Sequence, residues 1–143
     1  MSKIAIACDH AGVALKLEVI AYLKALGHEA VDHGANEGER VDYPDYAKLV
    51  AADVAEQKAD RGILICGTGI GMALTACKFK GIRAASVIDI YSTEMTRKHN
   101  DLNVLCLGAR VVGAGLALRI VDAFLHTEFE GGRHLKRVEK IEG

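Results

Sequence analysis

Residues 62–78 read G-I-L-I-C-G-T-G-I-G-M-A-L-T-A-C-K, and no other stretch limits the possible folds as much. Ile63, Leu64 and Ile65 form a short apolar run of the kind a strand buried on both faces shows. The run ends at Cys66, after which Gly67, Gly69 and Gly71 alternate with Thr68 and Ile70. A helical pattern begins at Met72. Strand, glycine loop and helix in that order make an anion site, because glycines admit a ligand to the backbone and the first helical N–H groups have no partners. Cys66 stands where the positive helix end begins, a place that favours thiolate over thiol.

The rest of the chain repeats the alternation of strand and helix. Lys3 to Cys8 reads as a strand, and Val13, Leu17, Ile20, Leu23 and Leu26 mark one apolar helix face before a C-capping Gly27. Glu29 to Asp32 is a short strand with a polar exit. Pro44, the one proline, suits the first turn of a helix carrying Tyr46, Leu49, Val50 and Val54. The helix after the glycine loop is expected to close near Phe79-Lys80-Gly81. A fourth strand is expected over Ile82 to Ile88, then a helix from Glu94 to His99 capped by Ser92 or Thr93. Asn103 to Leu107 gives a fifth strand. An amphipathic helix with Leu116, Ile120, Val121, Phe124 and Leu125 follows, and a basic helix from Arg133 to Ile141 lies beyond Gly131-Gly132.

Strands and helices alternating at this spacing specify βαβ units. The fold class is α/β, a three-layer α/β/α Rossmann-like arrangement with a five-stranded parallel sheet. With 143 residues, half of them apolar, one domain spans 1–143, with a C-terminal helical segment from about 131. The net charge of −1 gives no electrostatic reason to expect nucleic acid or an acidic membrane. No run of about 18 apolar residues suggests a membrane span. The N-terminus turns polar at Cys8-Asp9-His10, too early for a secretory leader, so a cytoplasmic protein is expected. The four cysteines form no C-x-x-C pair, and no zinc-binding pattern is present.

In a sheet of this type ligands gather at the carboxyl ends of the strands. Asp9-His10 follow the first strand, His33 the second, Cys66-Gly67-Thr68 the third, Asp89 the fourth and Gly108-Ala109-Arg110 the fifth. Arg133 and Arg137, four apart, share one helical face, which reads either as a phosphate clamp or as a solvated basic face. A dinucleotide fingerprint fails because Met72 stands where its third glycine belongs, and the P-loop pattern is missing its Gly-Lys-Ser/Thr. The loop suits a small phosphate or oxyanion better than a pyrophosphate. A cysteine–histidine hydrolase stays open where only the sequence is read.

The sequence resembles the type B ribose-5-phosphate isomerases and their galactose- and allose-6-phosphate relatives. The resemblance covers nearly the whole chain and rests on residues 8–12 (C-D-H-A-G), Asp42-Tyr43-Pro44, 66–71 (C-G-T-G-I-G) and 78–84 (K-F-K-G-I-R-A). It continues through His99-Asn100-Asp101, 108–113 (G-A-R-V-V-G) and G-G-R-H-x-x-R-V from Gly131. It implies interconversion of an aldose phosphate and its ketose through an enediolate, with no metal and no cofactor. Carried over by motif, Cys66 is the base and Thr68 bonds the reacting oxygens. The backbone of Gly67, Thr68, Gly69, Ile70 and Gly71 stabilises the enediolate. His99, aided by Asp9, opens the sugar ring. His10, Arg110, Arg133 and Arg137 hold the phosphate, while Asn100 and Tyr43 contact the sugar. The resemblance also implies a homodimer or homotetramer with sites between subunits. Ala73, Cys77 and Asp89 depart from the family pattern and leave a six-carbon aldose 6-phosphate open as the substrate. A non-catalytic sugar-phosphate or nucleotide-binding module is the alternative from another class.

Overall fold

Short apolar runs become strands and the segments between them become helices in the computed structural model, which describes residues 1–143. In chain order the elements are β1 (Lys3–Cys8), α1 (Val13–Ala25), β2 (Glu29–Asp32), α2 (Tyr43–Ala55) and β3 (Arg61–Cys66). They continue with α3 (Ile70–Ala76), β4 (Ala84–Ser86), α4 (Ile90–Asn100), β5 (Val104–Gly108), α5 (Ala114–His126) and α6 (Arg133–Glu142). The five strands form one sheet in the order β2-β1-β3-β5-β4. Every pairing is parallel.

Strand residues alternate between two cores. Ile4, Ile6, Ile63, Ile65, Leu105 and Leu107 pack against Leu15, Val19 and Leu23 of α1 and Ile120 and Phe124 of α5. Ala5, Ala7, Leu64, Cys66, Val104 and Cys106 face Ala47, Val50 and Val54 of α2 and Met72 and Ala76 of α3. Right-handed crossovers explain the division, since leftward steps along the sheet put helices on one face and rightward steps on the other. The chain steps left from β1 to β2 but right from β3 to β4. The sense of winding therefore reverses between β1 and β3, and α1 and α3 leave the two strands on opposite faces. A crevice opens at such a switch point. Asp9 and Cys66 stand on either side of it.

Several sequence expectations change in detail. Only Ala84–Ser86 of the expected fourth strand pairs with β5. α3 starts at Ile70 and ends at Ala76, short of Phe79. α4 starts at Ile90, and its cap is Asp89 rather than Ser92 or Thr93: the Ser92 N–H donates to Asp89 Oδ2 at 2.8 Å. That bond holds the Asp89 carboxyl below its usual range. In α1 the buried face is Leu15, Val19 and Leu23, while Leu17 and Leu26 are exposed. The helix is apolar nearly all round, so its spacing does not select one face. Lys16 is buried beside that face, with Nζ bonded to Asp32 Oδ1 at 2.9 Å and the Ala35 carbonyl at 2.8 Å.

Candidate active site

At the switch point, Asp9, Tyr43, Cys66, Gly67, Thr68, Ile70, Gly71 and Leu74 line an open cleft of about 440 Å³. β3 carries Cys66 to its floor, where the residue is 5% exposed. The chain then turns through Gly69, whose φ of +79° is a left-handed conformation that side chains resist. A Cβ there would also lie 2.9 Å from the Leu107 carbonyl carbon. The Gly69 N–H donates to Cys66 Sγ, 3.1 Å away. The N–H groups of Gly67, Thr68, Gly71 and Met72 donate to no group in the chain. The loop therefore presents a set of free donors beside a sulfur atom, and such a set suits an oxyanion.

The side chains around the loop are fixed by local contacts. Thr68 Oγ1 accepts the Ile70 N–H at 3.2 Å, which leaves its own proton free to point outward. Ser86, which the sequence reading missed, donates its hydroxyl to the Thr68 carbonyl at 2.9 Å and braces the loop from β4. Asp9 is buried, with one carboxylate oxygen accepting the Ala11 N–H at 2.9 Å. Tyr43 is the first residue of α2, with Pro44 beside it in the first turn. The Tyr43 ring packs directly on the backbone of Gly71, where any Cβ would overlap it. The exposed Arg110 reaches back over the loop, its Nη1 3.4 Å from where a Gly67 Cβ would stand. His10 lies exposed at the end of β1, its Nδ1 accepting the Val41 N–H at 3.4 Å.

Four expected site residues lie elsewhere. His99 and Asn100 end α4, Arg133 and Arg137 lie exposed on α6, and none of them lines the cleft. Asn100 instead borders a separate cavity of about 460 Å³ with Arg83 and Glu142. Two other strand-end groups are structural: His33 Nε2 pairs with Asp53 of α2 at 2.6 Å, and Asp89 caps α4.

His99 stacks on His134, with ring centroids 4.3 Å apart and planes tilted by 15°. His134 Nε2 lies 3.4 Å from the Glu130 carboxylate. Burial, with His99 and Arg133 nearby, pushes the His134 imidazole below its usual range. The ligand atoms of His99, Glu130 and His134 all lie within 4.8 Å of one another. The stacking nevertheless fits a ring contact better than shared ligation. A metal lies near the plane of each imidazole that binds it, and stacked planes do not meet at one point.

Comparison with known proteins shows which family has this sequence and fold. The sequence matches the Ribose/Galactose Isomerase family model over residues 4–141. It is 53% identical over 141 residues to ribose-5-phosphate isomerase B of Escherichia coli (strain K12), which covers 99% of this chain and 95% of that protein. The structure of ribose-5-phosphate isomerase B from Clostridium thermocellum superposes with a TM-score of 0.96 at 51% identity, covering 98% of this chain and 95% of that one. The Mycoplasma genitalium ribose-5-phosphate isomerase B with bound ribulose-5-phosphate gives a TM-score of 0.94 at 44% identity, with 98% and 93% covered. Sequence and backbone thus agree along nearly the whole length, and the chain belongs to the ribose/galactose isomerase family.

Proposed function

We propose that this protein interconverts ribose 5-phosphate and ribulose 5-phosphate by proton transfer through an enediolate, with Cys66 as the base. The observation that carries this reading is the Cys66 sulfur on the cleft floor beside the unpartnered N–H groups of Gly67, Thr68 and Gly71. The Cys66 thiolate takes the proton from C2 of the open-chain aldose. The electrons of that C–H bond form the C1–C2 double bond, and the carbonyl pair moves onto O1. That negative charge is met by donors already in place, which lowers the barrier rather than merely tightening binding. Cys66 returns the proton to C1 while the Thr68 hydroxyl assists proton movement between O1 and O2. The product is the ketose.

His99, Asn100, Arg133 and Arg137 complete this site from a neighbouring copy in a homodimer or homotetramer. Their surface position away from the chain's own cleft supports that arrangement. His99 and Asp9 open the furanose ring, and His10 and Arg110 join the two α6 arginines on the phosphate. The substrate assignment draws on the names of the relatives and on the ribulose-5-phosphate held by the Mycoplasma genitalium protein. No helix is long and apolar enough to cross a membrane. Free thiols at Cys8, Cys66, Cys77 and Cys106 suit the reducing cytoplasm, where we place the protein.

The test is isomerisation in deuterated water with a panel of aldose phosphates. Ribose 5-phosphate is expected to turn over and to gain deuterium at C2, and ribulose 5-phosphate at C1. Neither turnover nor exchange at high protein concentration would overturn the reading. Preferential turnover of allose 6-phosphate would overturn the five-carbon assignment alone.

A further inference from the structure

α6 is ten residues long and buries only His134 and Val138. Spaced by four, these two and Glu142 form one stripe of the helix, and Arg133 and Arg137 form the next. So little burial fixes the roll of a helix weakly, and the roll decides where the two arginines point. Both ends of the helix are tied down. Near its start, the His134 ring stacks on His99. At its end, the Glu142 carboxylate accepts from Arg83 Nη1 at 2.6 Å and from the Gly81 N–H at 2.9 Å. The same guanidinium turns its Nε to the Asn100 carbonyl at 2.9 Å and the Asp101 carbonyl at 3.1 Å. One planar group therefore joins the last turn of α4 to the last turn of α6.

The geometry points to Arg83, acting with Glu142, as a positioning residue that fixes the roll of α6 and so aims Arg133 and Arg137 relative to His99 and Asn100. The inference rests on the proposed phosphate role of the α6 arginines. Partly exposed ion pairs contribute little to stability, so a fold-only role accounts poorly for a fork that spans three segments. A lysine cannot take its place, because a point charge does not reach a carboxylate and two carbonyls in one plane. A misdirected clamp weakens binding even when the fold and the reacting end of the site are intact.

The experiment compares Arg83→Lys, Glu142→Gln, the double variant and Arg137→Ala in the full chain. Five quantities are measured: the inhibition constant of inorganic phosphate, KM and kcat for ribose 5-phosphate, Cys66 alkylation by iodoacetamide followed by mass spectrometry, and melting temperature. Each single variant is expected to raise the phosphate inhibition constant by about five- to tenfold, roughly the loss from misaligning one forked contact. KM rises in parallel and Cys66 alkylation is unchanged. The double variant is no worse than the poorer single one, since both act through one contact. An unchanged inhibition constant in either folded single variant, or effects that multiply, overturns the proposal. If Arg83→Lys does not fold, Glu142→Gln at the end of the helix decides. Should Arg137→Ala leave phosphate inhibition unchanged, the phosphate reading of α6 fails and takes this inference with it. Should Arg137→Ala raise the constant while the other variants do not, only the positioning role fails.

Discussion

Gly69 donates its backbone N–H to the sulfur of Cys66 across 3.1 Å, and at the same residue a left-handed φ of +79° turns the chain into α3. The residue that donates to the thiol thus holds a backbone conformation that other residues adopt at a cost. Gly69→Ala is expected to lose at least about 2 kcal/mol of stability in urea denaturation, from the left-handed backbone and the contact with Leu107 together. Gly115, exposed in α5 with open space around it, is the control. Gly115→Ala is expected to gain about 0.5 kcal/mol. Equal effects at the two positions would contradict the assigned strain.

Cys66→Ala is expected to lower kcat by about 10²–10⁴-fold, the usual contribution of a positioned acid–base group. Binding of ribose 5-phosphate, followed by calorimetry, is expected to survive, since the proposed phosphate contacts at His10, Arg110, Arg133 and Arg137 do not involve Cys66. Wild-type turnover in this variant would remove Cys66 from the mechanism.

The packing of Tyr43 on Gly71 gives a paired test. Gly71→Ala pushes the ring aside, so KM is expected to rise while the melting temperature falls only slightly. In a Tyr43→Ala background the added methyl has room. The second substitution then costs much less than in the wild type, a coupling readable from a double-mutant cycle. Additive effects would show that the ring is not what the methyl meets.

Alkali should destabilise the fold through its buried thiols. Burial pushes the Cys8 thiol from its ordinary 9.0 up to about 11, and pushes Cys106 well up too. Between those pH values the unfolded chain has released protons that the folded chain keeps, so stability falls as pH rises. The contribution is whole below pH 9 and fades towards about 11 for Cys8. The slope is at most about 1.4 kcal/mol per pH unit for each thiol. Urea midpoints from pH 8 upward are expected to decline, and Cys8→Ala to flatten the decline relative to Cys77→Ala. No difference between these variants would refute the assignment.

A site shared between copies predicts complementation. Cys66→Ala and His99→Asn are each expected to be inactive. Unfolding and refolding them together gives mixed dimers in which one site carries both lesions and the other neither. Recovery of roughly a quarter of wild-type activity is expected when the subunits pair at random. No recovery would place His99 and Cys66 in the same chain's site.

The sheet was legible because its strands are apolar runs that end at glycine or at polar residues, and the cleft followed from the ends of β1 and β3. Other features have no local signature. Nothing near Ser92 shows that Asp89, three residues earlier, outcompetes it as the cap, because the choice depends on where α4 starts. Leu17 and Leu15 have the same character, and only packing against the sheet decides which is buried. Strand-end chemistry marked His33 and Asp89 as readily as Asp9 and Cys66, although the first two serve the scaffold. The stripe of His134, Val138 and Glu142 is not seen in the sequence, where the last helix is expected to stop at Ile141, one residue short of Glu142. Its contacts with His99 and Arg83 belong to the tertiary fold.

Cys66 ends β3, which is hydrogen-bonded to β1 on one side and β5 on the other and covered on both faces. α6, with two buried side chains, lies at the opposite extreme of packing. Amide protons at Leu64 and Ile65 are therefore expected to exchange only when the whole molecule opens, and those of α6 through a local opening. With Arg133 and Arg137 on the phosphate as proposed, warming is expected to weaken anion affinity while Cys66 is still held in register.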